Sequence, residues 1–391
     1  MRSSLLAFIA LVQQALAITI KIDYTYDTNN FFNTPTKKTA IEAVAKFYGD
    51  LIKDNLLRID AAQFPGSSWT ATPFHPTTGG ALSIPGLIVP ADTIIVYVGA
   101  RNLPGSTLGV GGPGGLGASG SQPWLDRIQG RGSAGAAAAN PANRTDFSPW
   151  GGAITFDADS TWNFSLSQNQ AGFEFVSIAL HEMGHVLGIG TADSWKNKIS
   201  GTVFTGAACV RSNGSPPPLQ TGGGHFGGSS LVSDVFGSFG RTHGTSRPVL
   251  MLASSTDTGS NFDVASDLDL AALIDCGWQI TPPLALTATT LRPSAAAFTW
   301  KSSSFFDYKI ERGANLQSFP GGSSSIAGDG TIQAWSDSAA PASNTFYRLR
   351  TTKTAGAAAS APRAAAVGAN HNFMTLSVPP RYVTGCYECD H

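Results

Sequence analysis

The residues best placed to do chemistry are His181, Glu182 and His185, in the run Val176 to Gly190, VSIALHEMGHVLGIG. On a helix, histidines four apart project from one face one turn apart, so both imidazoles can bind one cation with Glu182 beside it. Neutral imidazole suits zinc, and two ligands on a rigid helix fix part of a tetrahedron. Zinc lowers the pKa of its water to about 7, and a carboxylate within hydrogen-bond reach takes the proton as hydroxide attacks a carbonyl. His181 and His185 are thus the expected ligands and Glu182 the base. The flanks (Phe175, Val176, Ile178, Ala179, Leu180, Val186, Leu187) are apolar nearly all round, so without a ligand the His-Glu-His set would be buried at a cost.

Zinc needs a third protein ligand. No glutamate occurs between Glu182 and Glu311, which removes HExxH enzymes that use a glutamate there. The histidines in reach are His225, in TGGGHFGG, and His243, in GRTHGTS; the glycine-rich setting favours His225, and Asp193 is a further candidate. Met251, in PVLML, is the one methionine between Met183 and Met374 and could floor the site, although a core methionine explains it equally well.

Several elements must position these residues. ITIKIDYTYD from Ile18 alternates as a half-buried strand, and Lys37 to Leu57 has the spacing of a long amphipathic helix. TIIVYVGA suits a central strand, and Trp150 to Trp162 a strand leaving through an acidic turn. Asp157 and Asp159 in that turn could hold calcium, or could be solvated. Between Arg101 and Asn143 the Gly-, Ala- and Ser-rich chain shows neither period and reads as a long surface loop; it lacks the GxxxxGK[ST] of a phosphate loop. The zinc helix should end at Gly188 to Gly190. Ser266-Asp267-Leu268-Asp269 opens a last helix with Ser266 as N-cap and Gly277 past its end.

The 391 residues allow two domains. A net charge of -1 with 13% charged residues gives no basic stripe, which argues against nucleic-acid binding. The opening MRSSLLAFIALVQQALA has Arg2, a short apolar core and an Ala-x-Ala end, so residues 1–17 are expected to be a secretion signal and the protein extracellular. No segment is long enough to span a membrane. Of four cysteines, Cys209 and Cys276 could pair, and Cys386 and Cys389 form a lone terminal CxxC, a disulfide or free thiols rather than a metal site. After a Thr281-Pro282-Pro283 linker, short strand-like runs suggest a small β-sandwich over 284–352, with Trp300, Tyr308, Trp335 and Tyr347 in its core; 353–391 reads as a low-complexity tail, and the Ala-rich, aperiodic run from Thr351 to Asn370 is expected to be disordered.

HEMGHVLGIG, the preceding GGAITFDADSTW and the order strand, helix, strands, HExxHxxG helix, methionine turn, last helix resemble the metzincin zinc peptidases, most closely the matrixin branch. The resemblance covers about residues 18–280; DLDLAALIDCGW and TAIEAVAKF are also similar to a group of secreted bacterial metalloproteases. It implies an α+β metzincin-like catalytic domain, zinc on His181 and His185, Glu182 as base, Met251 in the methionine turn and protein or peptide substrates. Two positions depart from it. Thr191 stands where the strict motif has its third histidine, and leishmanolysin-like members insert a segment before that histidine in a GHW-like setting, which Gly224-His225-Phe226 resembles. Ser160 replaces an acidic residue of the matrixin calcium turn. The C-terminal part resembles fibronectin-type-III-like modules. The expectation is a secreted zinc endopeptidase; the alternatives are a secreted adhesion or binding protein with a structural zinc, or a zinc hydrolase acting on a non-peptide bond.

Overall fold

A computed structural model describes residues 17–165, 171–228, 232–234, 246–253 and 265–281, most of 287–353, and 374–378. The expected signal sequence, His243 and the terminal CxxC lie outside the described residues.

Strand β1 (Thr19–Asp23) leads into helix α1 (Pro35–Leu51). Thr34 caps α1 by accepting from the Lys37 amide at 3.4 Å, and Pro35 follows with a backbone already suited to a first turn. The helix ends at Leu51, six residues short of the sequence expectation, where Ile52 turns extended and bridges to Ile280. Strands β2 (Ser68–Thr72) and β3 (Ile84–Pro85) precede β4 (Thr93–Arg101), which is buried over eight of its residues. Next come β5 (Gly109–Pro113), β6 (Gly115–Gly120), α2 (Gln122–Gly130), α3 (Ala134–Ala137) and β7 (Gly151–Asp157). The stretch expected to be one long surface loop therefore holds two strands and two helices. Glycine-rich strands have too few side chains to show a hydrophobic period, which is why they read as loop.

The main sheet has the order β1-β4-β7-β5, with β1, β4 and β7 parallel and β5 antiparallel at the edge. Covering on both faces explains the continuous apolar run of β4. Val96, Val98, Ile154 and Phe156 join the core containing α1 and the HExxH helix. Ile95, Tyr97 and Ala153 belong to a second core with Trp69, Leu116, Trp124 and Trp150, built over a second sheet.

A short pair, β8 (Trp162–Asn163) and β9 (Phe173–Glu174), leads into α4 (Phe175–Val186), then α5 (Asp193–Lys196), β10 (Ile199–Ser200), β11 (Val203–Phe204) and α6 (Ala207–Asn213). β12 (Val232–Asp234) pairs with β13 (Ser246–Pro248), and α7 (Asp267–Cys276) follows. Ser266 and Asp269 form a reciprocal capping box on α7, and Gly277 adopts a left-handed φ of 112° just past its end. Cys209 and Cys276 are separate buried thiols rather than a disulfide.

In the C-terminal part, β14 (Thr287–Arg292), β15 (Ala295–Lys301), β16 (Phe306–Gly313), β17 (Gly321–Gly322), β18 (Ile326–Ala327), β19 (Ile332–Asp337) and β20 (Phe346–Lys353) form two antiparallel sheets. Trp300 and Tyr308 are buried, and Trp335 and Tyr347 pack against them partly exposed. Within the expected low-complexity tail, beyond its Ala-rich run, β21 (Met374–Val378) pairs antiparallel with β6 and completes the sheet β21-β6-β2-β3. Among the described residues no helix is long and apolar enough to cross a membrane.

Candidate metal centre

Helix α4 carries His181, Glu182 and His185 on a segment buried along its whole length. It is held from α1 by the Tyr48 hydroxyl, which donates to the Leu180 carbonyl at 3.0 Å. The helix stops as expected: Leu187 is its C-cap, and Gly188 and Gly190 have φ of 110° and 75°. Thr191 donates its hydroxyl to the His185 carbonyl at 2.7 Å, so this side chain closes the helix end instead of reaching the histidines.

The loop that follows α6 brings in the third imidazole. His225 Nε2 lies 3.1 Å from His185 Nε2 and 3.2 Å from His181 Nε2, and the first two are 3.0 Å apart. Each Nδ1 faces an oxygen: Leu250 O at 2.8 Å for His181, Ile189 O at 2.8 Å for His185 and Gln220 Oε1 at 3.2 Å for His225. A carbonyl oxygen can only accept, so each Nδ1 carries the proton and each Nε2 turns a lone pair to the common centre. Three lone pairs at this spacing repel unless a cation lies among them. Tetrahedral zinc with bonds of about 2.0–2.1 Å sets its nitrogens about 3.3 Å apart, so the donor set fits zinc. The three histidines could hold a metal ion and are the one such group among the described residues.

Burial favours the neutral imidazoles that a metal requires. It holds His181 well below the usual histidine range, with neighbouring His185 and His225 adding to the effect; it brings His185 down to about 4, and depresses His225 likewise. Glu182 is wholly buried, and burial pushes its carboxyl well above the ordinary range, the nearby Gly111 backbone opposing in part. Among the described residues neither carboxylate oxygen has a well-formed hydrogen bond, the Gly111 backbone being a weak donor at most. Strand β5 lies directly over it: a Cβ at Gly109 would fall 2.7 Å from Glu182 Oε1, and one at Gly111 2.5 Å from the Glu182 carbonyl oxygen. Those glycines allow the edge strand to approach the zinc helix.

Below the histidines runs the turn Val249–Leu252. Met251 is fully buried, with its sulfur against Gly184, where a Cβ would meet it at 2.7 Å. Asp269 on α7 accepts from the amides of Leu250 (3.1 Å) and Met251 (3.0 Å), and from the amide and hydroxyl of Ser266 (both 2.7 Å). The Met251 carbonyl in turn accepts from the Phe226 amide at 3.0 Å. One turn thus orients His181 through Leu250 and anchors the residue after His225. Sequence reading took Asp269 for a first-turn acid and had no signal for its second role or for Gln220.

Asp193, the other candidate ligand, is paired with Arg144 at 2.6 Å and takes no part in the histidine cluster. Asp157 already uses its carboxylate, accepting from the Ser160 hydroxyl in its own turn and from the Leu103 amide just past β4. Among the described residues no carboxylate cluster offers calcium a site.

Residues 125–199 match the family model for matrixin. Over this stretch the chain resembles a matrixin. A segment of 40 residues is 52% identical to Matrix metalloproteinase-2 of Drosophila melanogaster, covering 10% of this chain and 5% of that protein, so the chain spans only a small part of that relative's length. No solved structure matches. The likeness is confined to part of the chain, and because the family match ends at residue 199, His225 rests on the geometry.

Proposed function

We propose that the protein is a secreted zinc-dependent endopeptidase with His181, His185 and His225 as metal ligands and Glu182 as the general base. The observation that carries this reading is the pairing of three converging imidazole lone pairs with an adjacent buried carboxylate that has no well-formed hydrogen bond among the described residues. A purely structural zinc has no use for such a carboxylate. Zinc bound there supplies Lewis acidity, polarising a carbonyl and acidifying water. Glu182 takes the proton from the attacking water and passes it to the departing amine, roles open to a buried carboxylate beside the metal ligands. The histidines keep their proton on Nδ1, and the Leu250 and Ile189 carbonyls hold two of the rings in place.

A peptide substrate is favoured by β5, which ends the main sheet and pairs on one side only among the described residues. An extended chain can add to such an edge through backbone hydrogen bonds, whatever its side chains. Residues 1–17 would direct export, 18–280 form the catalytic domain, and 284–352 a fibronectin-type-III-like accessory module. Cleavage of unfolded casein by the purified protein tests the reading: chelator should abolish it and added zinc restore it. A protein that binds zinc and cuts no peptide would move the reading to a binding protein or a non-peptide hydrolase.

A further inference from the structure

The three imidazoles are not held alike. His181 and His185 donate Nδ1–H to backbone carbonyls, of Leu250 in the turn below and of Ile189 just beyond α4. Those acceptors cannot rotate away. His225 has a side-chain amide instead, Gln220 Oε1 at 3.2 Å, on an exposed residue.

The backbone of residues 220–225 is closed on the same glutamine. The Gln220 amide donates to the His225 carbonyl at 3.1 Å, and its carbonyl accepts from the Gly223 amide at 2.8 Å. Gly222 and Gly223 have φ of 96° and 70°, and the Trp195 indole donates to the Gly223 carbonyl at 2.9 Å. The loop is therefore shaped by backbone, glycine and Trp195, while the rotation and tautomer of the His225 ring depend on one amide. An amide is ambivalent in this position: through its oxygen it fixes the proton on Nδ1 and frees Nε2, and through its nitrogen it would do the reverse.

We infer that Gln220 is a positioning residue for the third metal ligand, accepting from His225 Nδ1–H so that Nε2 faces the metal. This rests on the zinc reading above but is separable from it. Outer partners of this kind alter metal affinity by about 10–100-fold.

The test measures zinc affinity against a competing chelator at fixed pH for the wild type, Gln220→Met and Gln220→Glu. Methionine keeps the length and removes the acceptor; glutamate keeps an acceptor that cannot turn into a donor. The expected result is affinity weakened about 10–100-fold in Gln220→Met and restored to wild type or better in Gln220→Glu. The melting temperatures of the metal-free proteins should agree, since residue 220 is exposed. In metal-free protein with ¹⁵N-labelled histidine, His225 should show protonated Nδ1 in the wild type and Gln220→Glu, and a shifted tautomer mixture in Gln220→Met. Equal affinity in wild type and Gln220→Met overturns the role of Gln220 alone, as does a Gln220→Glu variant that fails to recover. A wild type that binds no zinc overturns the functional reading instead, and the tautomer measurement still decides what Gln220 does to His225.

Discussion

Asp269 offers the sharpest quantitative prediction, because one buried carboxylate joins the last helix to the turn beneath the histidines. Asp269→Ala leaves the Leu250 and Met251 amides without their acceptor and removes half of the capping box at Ser266. A buried donor left unpaired costs about 1–3 kcal/mol, and loss of a cap about 1 kcal/mol. With water entering part of the vacated space, the destabilisation should be about 3–5 kcal/mol, against a total of about 5–15 kcal/mol for a typical domain. At about 2–4 °C per kcal/mol for a domain of 150–250 residues, the metal-free protein should melt roughly 6–20 °C below wild type. Release of the turn also frees the Leu250 carbonyl that orients His181, so zinc affinity should fall along with stability. Calorimetry of the chelated proteins and a zinc competition titration read the two effects. A melting temperature within 2 °C of wild type, with unchanged zinc affinity, would refute the argument that this carboxylate holds the turn.

Two other consequences follow from the site. Gly111→Ala puts a methyl group 2.5 Å from the Glu182 carbonyl oxygen and 2.9 Å from its Cβ, contacts only a backbone shift can relieve. It should cost about 1–3 kcal/mol and reduce casein cleavage more than zinc content; unchanged melting and rate would contradict the close packing of β5 on α4. In metal-free protein, the buried histidines should lower stability on acidification. Burial brings His185 down to about 4 from the usual 6.5 or so, so the unfolded chain binds the proton first. This contribution is full above about pH 6.5 and is lost as pH falls toward 4, up to about 3 kcal/mol in all; His181 and His225, depressed the same way, add to it. Buried Glu182 and Asp269, whose carboxyls are raised, act with the opposite sign, so urea midpoints at pH 7 and 5 are compared between wild type and His185→Gln: on acidification the wild-type midpoint should fall relative to the variant's, and no relative fall would contradict it.

Much of the site could be read from the sequence because its parts are periodic or local. HExxH puts two ligands on one helix face by spacing alone, and the glycine stop after α4, the capping box of α7 and the apolar run of β4 are each written within a few residues. His225 was favoured over His243 by its glycine setting, and the structure brings it to the cluster. What stayed hidden depends on contacts distant in sequence or on side chains that are missing. β5 and β6 have mostly glycine where a strand would show its period, and the purpose of β5 emerges only when Glu182 is seen to fill the space that Cβ atoms at Gly109 and Gly111 would occupy, with Trp150 doing the same at Gly114 between the two strands. Asp269 reads locally as a cap, and its bonds to residues 250 and 251 depend on a turn 18 positions away. Cys209 and Cys276 suggested a disulfide by number, but each is a separate buried thiol. β21 gains its partner from β6, more than 250 residues earlier, and nothing in its own five residues reports that.

The most direct test of the central claim is Glu182→Gln, with zinc content and casein cleavage measured side by side on the same preparation as wild type. The amide has nearly the same shape and cannot take a proton, so the account predicts one zinc per chain in both proteins, cleavage by the wild type and a loss in the variant on the order of 10²–10⁴-fold. Cleavage by the variant at the wild-type rate with full zinc would show that Glu182 is not the base.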